Sequence, residues 1–199
     1  IESTIINEYI DDTFADQPLR PADAGDRARM RLWTKRLDDS VHPQIVVMSF
    51  CVAFRMNFVG APPEKLDAFV SGFADPQKEA NMRAMVEQGV EAPAFAHSVA
   101  FYDTLIADME STLSRREWLA GDDYSLADIG YAPYLTRLSH LGLGDWWSDK
   151  PAVKGWFERL RVRPAYVTAV DQWMPAPLLE MMAAEGAKAW PVVQNLLKA

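Results

Sequence analysis

At 199 residues and 49% hydrophobic composition, the chain has enough apolar material to close a substantial core, which excludes a largely disordered polypeptide. A formal net charge of −8 argues against nucleic acid or an anionic membrane as principal partner, because both are held chiefly through fields of Lys and Arg. The single cysteine, Cys51, excludes an internal disulfide framework and suits a reducing compartment such as the cytoplasm.

The chain opens Ile1-Glu2-Ser3 without an initiator methionine, which reads as a piece, or a processed form, of a longer product. Helical spacing then recurs throughout and strand alternation barely appears. Residues 3–14 read as a short helix with Ser3 or Thr4 near its cap and Ile5, Ile6, Tyr9 and Ile10 as its apolar stripe. A loop follows through Pro18 and Pro21. From Asp23 to about Phe58, the residues Met30, Trp33, Leu37, Val41, Ile45, Met48 and Val52 fall three or four apart, which predicts a long helix with one apolar face. Pro43 lies inside it and should bend or interrupt it, since proline removes a backbone donor and crowds the preceding turn. The apolar run Ile45–Phe54 also fits a buried strand, is too short to span a bilayer, and makes Cys51 a small core residue.

Residues 62–72 predict a short helix, and 76–113 a long one broken near Gly89 to Pro93. At Trp118–Ile129 the signal is most specific. Ser125 is an N-cap whose hydroxyl accepts from the Asp128 N–H, Asp128 reaches back to the Ser125 N–H, and Tyr124 staples onto Ile129, opening a helix to about His140. After Gly142-Leu143-Gly144, helices begin at Pro151 and at Pro164, the latter ending near Trp173. The tail from Pro175 carries a helical pattern broken at Gly186 and Pro191. The fold class is therefore all-α, a bundle of about six or more helices.

Local chemistry is sparse. His42, His97 and His140 lie too far apart in sequence for a local metal motif, and neither a Gly-rich phosphate loop nor a nucleophile elbow occurs. The pairs Asp11-Asp12, Asp38-Asp39 and Asp122-Asp123 read as solvated helix ends or faces, because adjacent residues on a helix do not face each other. Arg159, Arg161 and Arg163 read as helix-end charges.

Four blocks in order carry a family resemblance: Glu2 through Ile10; Leu19 through Asp23 with Arg27 through Lys35; Trp118 through Ile129; and Trp156-Phe157-Glu158-Arg159 with Arg163-Pro164-Ala165-Tyr166. Together they resemble cytosolic glutathione transferases from the end of the thioredoxin-like domain onward. The first two blocks are most similar to the bacterial branch that includes glutathione-dependent β-aryl-etherases. The resemblance implies that residues 1–15 are the remnant of a thioredoxin-like glutathione-binding domain and 16–199 an all-helical substrate domain of glutathione transferase C-terminal type. The family's catalytic Tyr, Ser or Cys lies upstream, so none is expected in this chain.

Glu2 and Ser3 match the family's pair that holds the γ-glutamyl end of glutathione, and Ser3 also reads as an ordinary N-cap, a compatible role. The acceptor cleft of such enzymes lies against the middle of the helix beginning near Asp23. Asp39, His42, Val46 and Ser49 recur there at helical spacing and are expected to line it, with His42 equally readable as a surface histidine. Phe50 and Phe54 fit either the pocket or the core, and Trp173 with Met174 fits a lid. The implied partners are glutathione as cosubstrate, a small hydrophobic electrophile, and a second copy in a homodimer that Met30 and Trp33 would face, unless Trp33 is core. The implied reaction is conjugation of the glutathione thiolate, with displacement of an aryl ether in the etherase branch. The alternative is a non-catalytic binding or assembly module of the same fold.

Overall fold

The computed structural model describes residues 2–14 and 16–198. Among them are ten α-helices and no strand: α1 (Ser3–Phe14), α2 (Ala24–Arg36), α3 (His42–Val52), α4 (Pro63–Val70), α5 (Pro76–Gln88), α6 (Pro93–Leu113), α7 (Leu126–His140), α8 (Pro151–Arg161), α9 (Pro164–Ala169) and α10 (Ala176–Leu196). None is long and apolar enough to cross a membrane. The chain forms two compact units, one of Ile1–Pro43, Thr104–Thr136 and Trp146–Met174, the other of Gln44–Asp103, Arg137–Asp145 and Pro175–Ala199.

In the first unit, Met30, Leu105, Ile106, Met109, Leu119, Tyr131, Leu135 and Trp156 are fully buried. The start of α7 organises this core. Asp128 Oδ2 accepts from the Ser125 N–H (3.0 Å) and the Ser125 hydroxyl (2.9 Å), while Oδ1 accepts from the Leu119 N–H (3.0 Å) and the Trp156 indole (2.8 Å). The reach of Asp128 back to Ser125 is as expected, but the hydroxyl points the other way: it donates to Asp128, and its acceptor contact is the Ala127 N–H at 3.3 Å. Tyr124 packs edge-on against Trp118 at 5.0 Å and lies under the Arg163 guanidinium at 3.7 Å. Arg159 and Arg161 stand in the last turn of α8, as expected of helix-end charges, and the Arg159 guanidinium also sits over Trp118 at 5.1 Å; Arg163, at the start of α9, is in addition stacked on a ring. The first turn of α8 is capped from α6, where Glu110 accepts from the N–H groups of Ala152 (3.2 Å) and Val153 (2.9 Å).

Three further expectations change here. Asp11 is 5% exposed instead of solvated, and its carboxylate accepts from the Leu19 N–H (2.6 Å), the Arg20 N–H (3.2 Å) and Arg20 Nε (3.2 Å). The expected stripe of α1 is uncovered, with Ile5 at 68% and Tyr9 at 62% exposure and Ile6, Ile10 and Phe14 exposed beside them. Met30 is buried in the core and cannot face a partner, while Trp33 is half-buried with its ring edge-on to Tyr131 at 5.2 Å.

The long helix predicted from Asp23 is interrupted as proline requires. Between α2 and α3, residues Leu37–Val41 form a π turn in which the His42 N–H bonds to the Leu37 carbonyl. Pro43 follows at once. A wider turn lets the chain continue where proline supplies no N–H and its ring would strike the carbonyl one turn back. The strand alternative for residues 45–54 is overturned, because Ile45, Met48, Cys51 and Val52 are buried on α3 at helical spacing.

The second unit buries Met48, Phe95, Val99, Tyr102, Leu138, Leu141, Met182 and Val193. The break expected in the tail does not occur: α10 runs unbroken through both Gly186 and Pro191. Gly186 is there for contact, since a Cβ on it would overlap the Leu141 carbonyl oxygen. The break near residue 89 is real, with Gly89 in the left-handed region at φ 59°.

Candidate functional site

The first turn of α1 meets the π turn in a cleft of about 200 Å³ lined by Glu2, Ser3, Leu37, Asp38, His42 and Tyr134. α1 begins when the Ile6 N–H bonds to the Glu2 carbonyl at 2.9 Å, so the preceding N–H groups have no partner within the helix. Glu2 and Ser3 are exposed at this end. Asp38 Oδ2 accepts from the Thr4 hydroxyl at 2.6 Å, tying the π turn to α1.

His42 Nδ1 lies 3.2 Å from the Tyr134 hydroxyl, and the two rings meet edge-on at 6.1 Å. Either group can donate in this contact, the imidazole tautomer deciding which. The Tyr134 phenol is pushed above its ordinary pKa by burial, helped by the Asp38 carboxylate. It therefore stays protonated near pH 7. The described lining holds two carboxylates and neither Lys nor Arg, so it favours a positively charged group beside the dipolar N-terminus that favours an anion. Together these features suit an amino-acid headgroup.

The structure brings Glu2, Ser3 and His42 together and leaves Asp39, Val46 and Ser49 out of this lining. Asp39 pairs with Lys35, Val46 is half-buried and Ser49 is buried. Phe50 belongs to an aromatic cluster, edge-on to Phe54 at 5.8 Å and stacked with Phe69 at 5.9 Å. Trp173 is 77% exposed and donates its indole N–H to the Thr168 carbonyl at 3.0 Å. Asp38 and Tyr134 were not foreseen. Regular helical spacing selects Asp39 over its neighbour, whereas the π turn shifts that register; Tyr134 meets His42 across 92 residues, beyond any local pattern.

The profile described as Glutathione S-transferase, C-terminal domain, matches residues 92–159. LigF of Sphingobium sp. strain SYK-6 is 28% identical over 82% of this chain and 66% of its own length. In the solved structure of this beta-etherase the likeness has a TM-score of 0.72 at 25% identity, covering 86% of this chain and 73% of the other. Glutathione S-transferase 3 of Zea mays is 30% identical over 85% of this chain and 64% of its length. FtsZ-localized protein A of Caulobacter vibrioides is 27% identical over 86% and 64%. The chain thus spans 64–66% of the length of these curated relatives.

Proposed function

We propose that this chain is the helical part of a glutathione transferase, with residues 1–15 closing a glutathione-binding domain and 16–199 forming the substrate domain. The observation that supports this most is the joint likeness to LigF, in sequence and in fold, over more than four fifths of the chain. The cleft at the start of α1 is of the right chemistry. Glu2, with Asp38 nearby, would hold the ammonium of a γ-glutamyl group, and the Ser3 hydroxyl with the first N–H groups of α1 would hold its carboxylate. Glutathione supplies a thiol that, as thiolate, attacks a hydrophobic electrophile; in the etherase case a carbon–sulfur bond forms and an aryloxide leaves. His42, Asp39 and Val46 are proposed to orient the acceptor, whereas Ser49 at 5% exposure is closed off from it; the complete protein is proposed to act as a cytoplasmic homodimer. This helical region supplies orientation and an apolar wall, while the thiol-activating side chain belongs to the glutathione-binding domain.

Ser3→Ala in the complete protein is expected to weaken glutathione binding by about 1–2 kcal/mol, the scale of a charge-assisted hydrogen bond, measured by calorimetry. An unchanged dissociation constant removes Ser3 from the site. A second reading, a non-catalytic binding or assembly module, is favoured by the likeness to FtsZ-localized protein A. Turnover of a β-aryl ether or a generic electrophile with glutathione separates the two: consumption of the thiol sustains the enzyme, and binding without turnover sustains the module.

A further inference from the structure

We propose that the second unit carries a ligand site of its own, in which a small aromatic monocarboxylate rests its ring on Phe58, Pro62 and Leu66 and its carboxylate on Arg55. The cleft lies where the turn after α3 meets α4 and α5, and encloses about 280 Å³. That is just below the roughly 300–1,000 Å³ usual for small-molecule pockets and suits a single ring. Phe58, Pro62, Leu66 and Val86 form its apolar wall. The Phe58 ring is itself braced, 5.1 Å from Phe69, with the Lys65 ammonium 5.7 Å from its centre.

The polar anchor is fixed before any ligand arrives. Arg55 Nε donates to the Val86 carbonyl at 2.8 Å and Nη2 to the Glu87 carbonyl at 3.0 Å, so the guanidinium is clamped by the last carbonyls of α5. Gly89 leaves it room, since a Cβ there would come within 3.0 Å of Arg55 Nε. Nη1 is the edge left without a hydrogen bond among the described residues. A rigid guanidinium with a free edge loses little side-chain freedom on binding a carboxylate.

The charge around the cleft limits the ligand to one negative charge. Arg83, the other cation in the lining, is ringed by Asp67 at 2.8 Å, Glu79 at 3.7 Å and Glu87 at 3.9 Å, so it is already over-neutralised. Glu87 also lines the cleft and disfavours any anionic group that is not paired directly with Arg55. This site lies wholly within the second unit, shares no residue with the cleft at Glu2 and Ser3, and does not depend on the transferase reading.

The test is an amide chemical-shift titration of the whole chain with benzoate and with its neutral isostere, benzamide. Benzoate is expected to give saturable shifts confined to residues 54–67 and 83–89, with benzamide at least about tenfold weaker, as loss of a charge-assisted contact requires. Leu66→Trp fills the cleft and is expected to abolish the benzoate shifts with helicity unchanged. Arg55→Met is expected to bring benzoate down to the level of benzamide; if that variant unfolds because α5 loses its clamp, the benzoate–benzamide ratio and Leu66→Trp decide. Absence of saturable shifts at millimolar benzoate, equal binding of the two ligands, or undiminished binding to folded Leu66→Trp overturns the proposal.

Discussion

Asp128 shows how one side chain can hold several distant pieces of backbone. Its carboxylate takes four donors, from Leu119, the N–H and hydroxyl of Ser125, and Trp156, while fully buried. Asp128→Ala strands those donors in the core and is expected to cost about 3–5 kcal/mol of unfolding free energy, read from the denaturant midpoint. Of this network, only the part within four residues was legible in the sequence. The Leu119 and Trp156 contacts join segments 9 and 28 residues away, for which a capping pattern carries no information.

Cys51 makes a second expectation at this scale. Burial pushes its thiol from an ordinary 9.0 up to about 12. The folded state therefore keeps a proton that the unfolded chain releases above about pH 9, so this residue's contribution to stability is intact below that value and declines as pH rises toward about 12. Native protein at pH 8 is expected to resist an aromatic disulfide reagent and to react once unfolded; rapid labelling of the folded form would contradict the burial.

At the scale of elements, the sequence predicts where helices lie better than how they join. Proline at position 43 announces a disturbance, but not that a π turn will absorb it and turn Asp38, rather than Asp39, toward the cleft. Gly186 and Pro191 announce a break that never comes. Proline is tolerated inside α10, and Gly186 answers a neighbour that local patterns cannot reveal, the Leu141 carbonyl. Gly186→Ala would improve intrinsic helix propensity, yet it is expected to lower stability by about 3 kcal/mol and the melting temperature by roughly 6–12 °C, because the new methyl group overlaps backbone. A neutral or stabilising result by calorimetry would show that α10 and residue 141 separate easily.

For the whole molecule, the pattern of apolar residues identified an all-helical fold but not which apolar faces are covered. The stripe of α1 has the period of a buried helix and is nonetheless open to solvent along Ile5, Ile6, Tyr9, Ile10 and Phe14. A contiguous apolar face of this kind is a contact surface. The 199-residue chain alone is expected to bind a hydrophobic dye and to sediment with concentration-dependent mass, both diminished in the double variant Ile5→Lys, Ile10→Lys. Indifference of both measurements to the two lysines would place the sticky surface elsewhere.

The carboxylate of Asp11 gives that same helix an unexpected fate. Lifting α1 away would leave a bare anion and uncover two main-chain donors at Leu19 and Arg20, and the Leu19 carbonyl in turn receives the Leu126 N–H at 3.3 Å. An edge helix so moored should not fray by itself. Its deuterium uptake should follow that of α7, and the two should open together as one cooperative block.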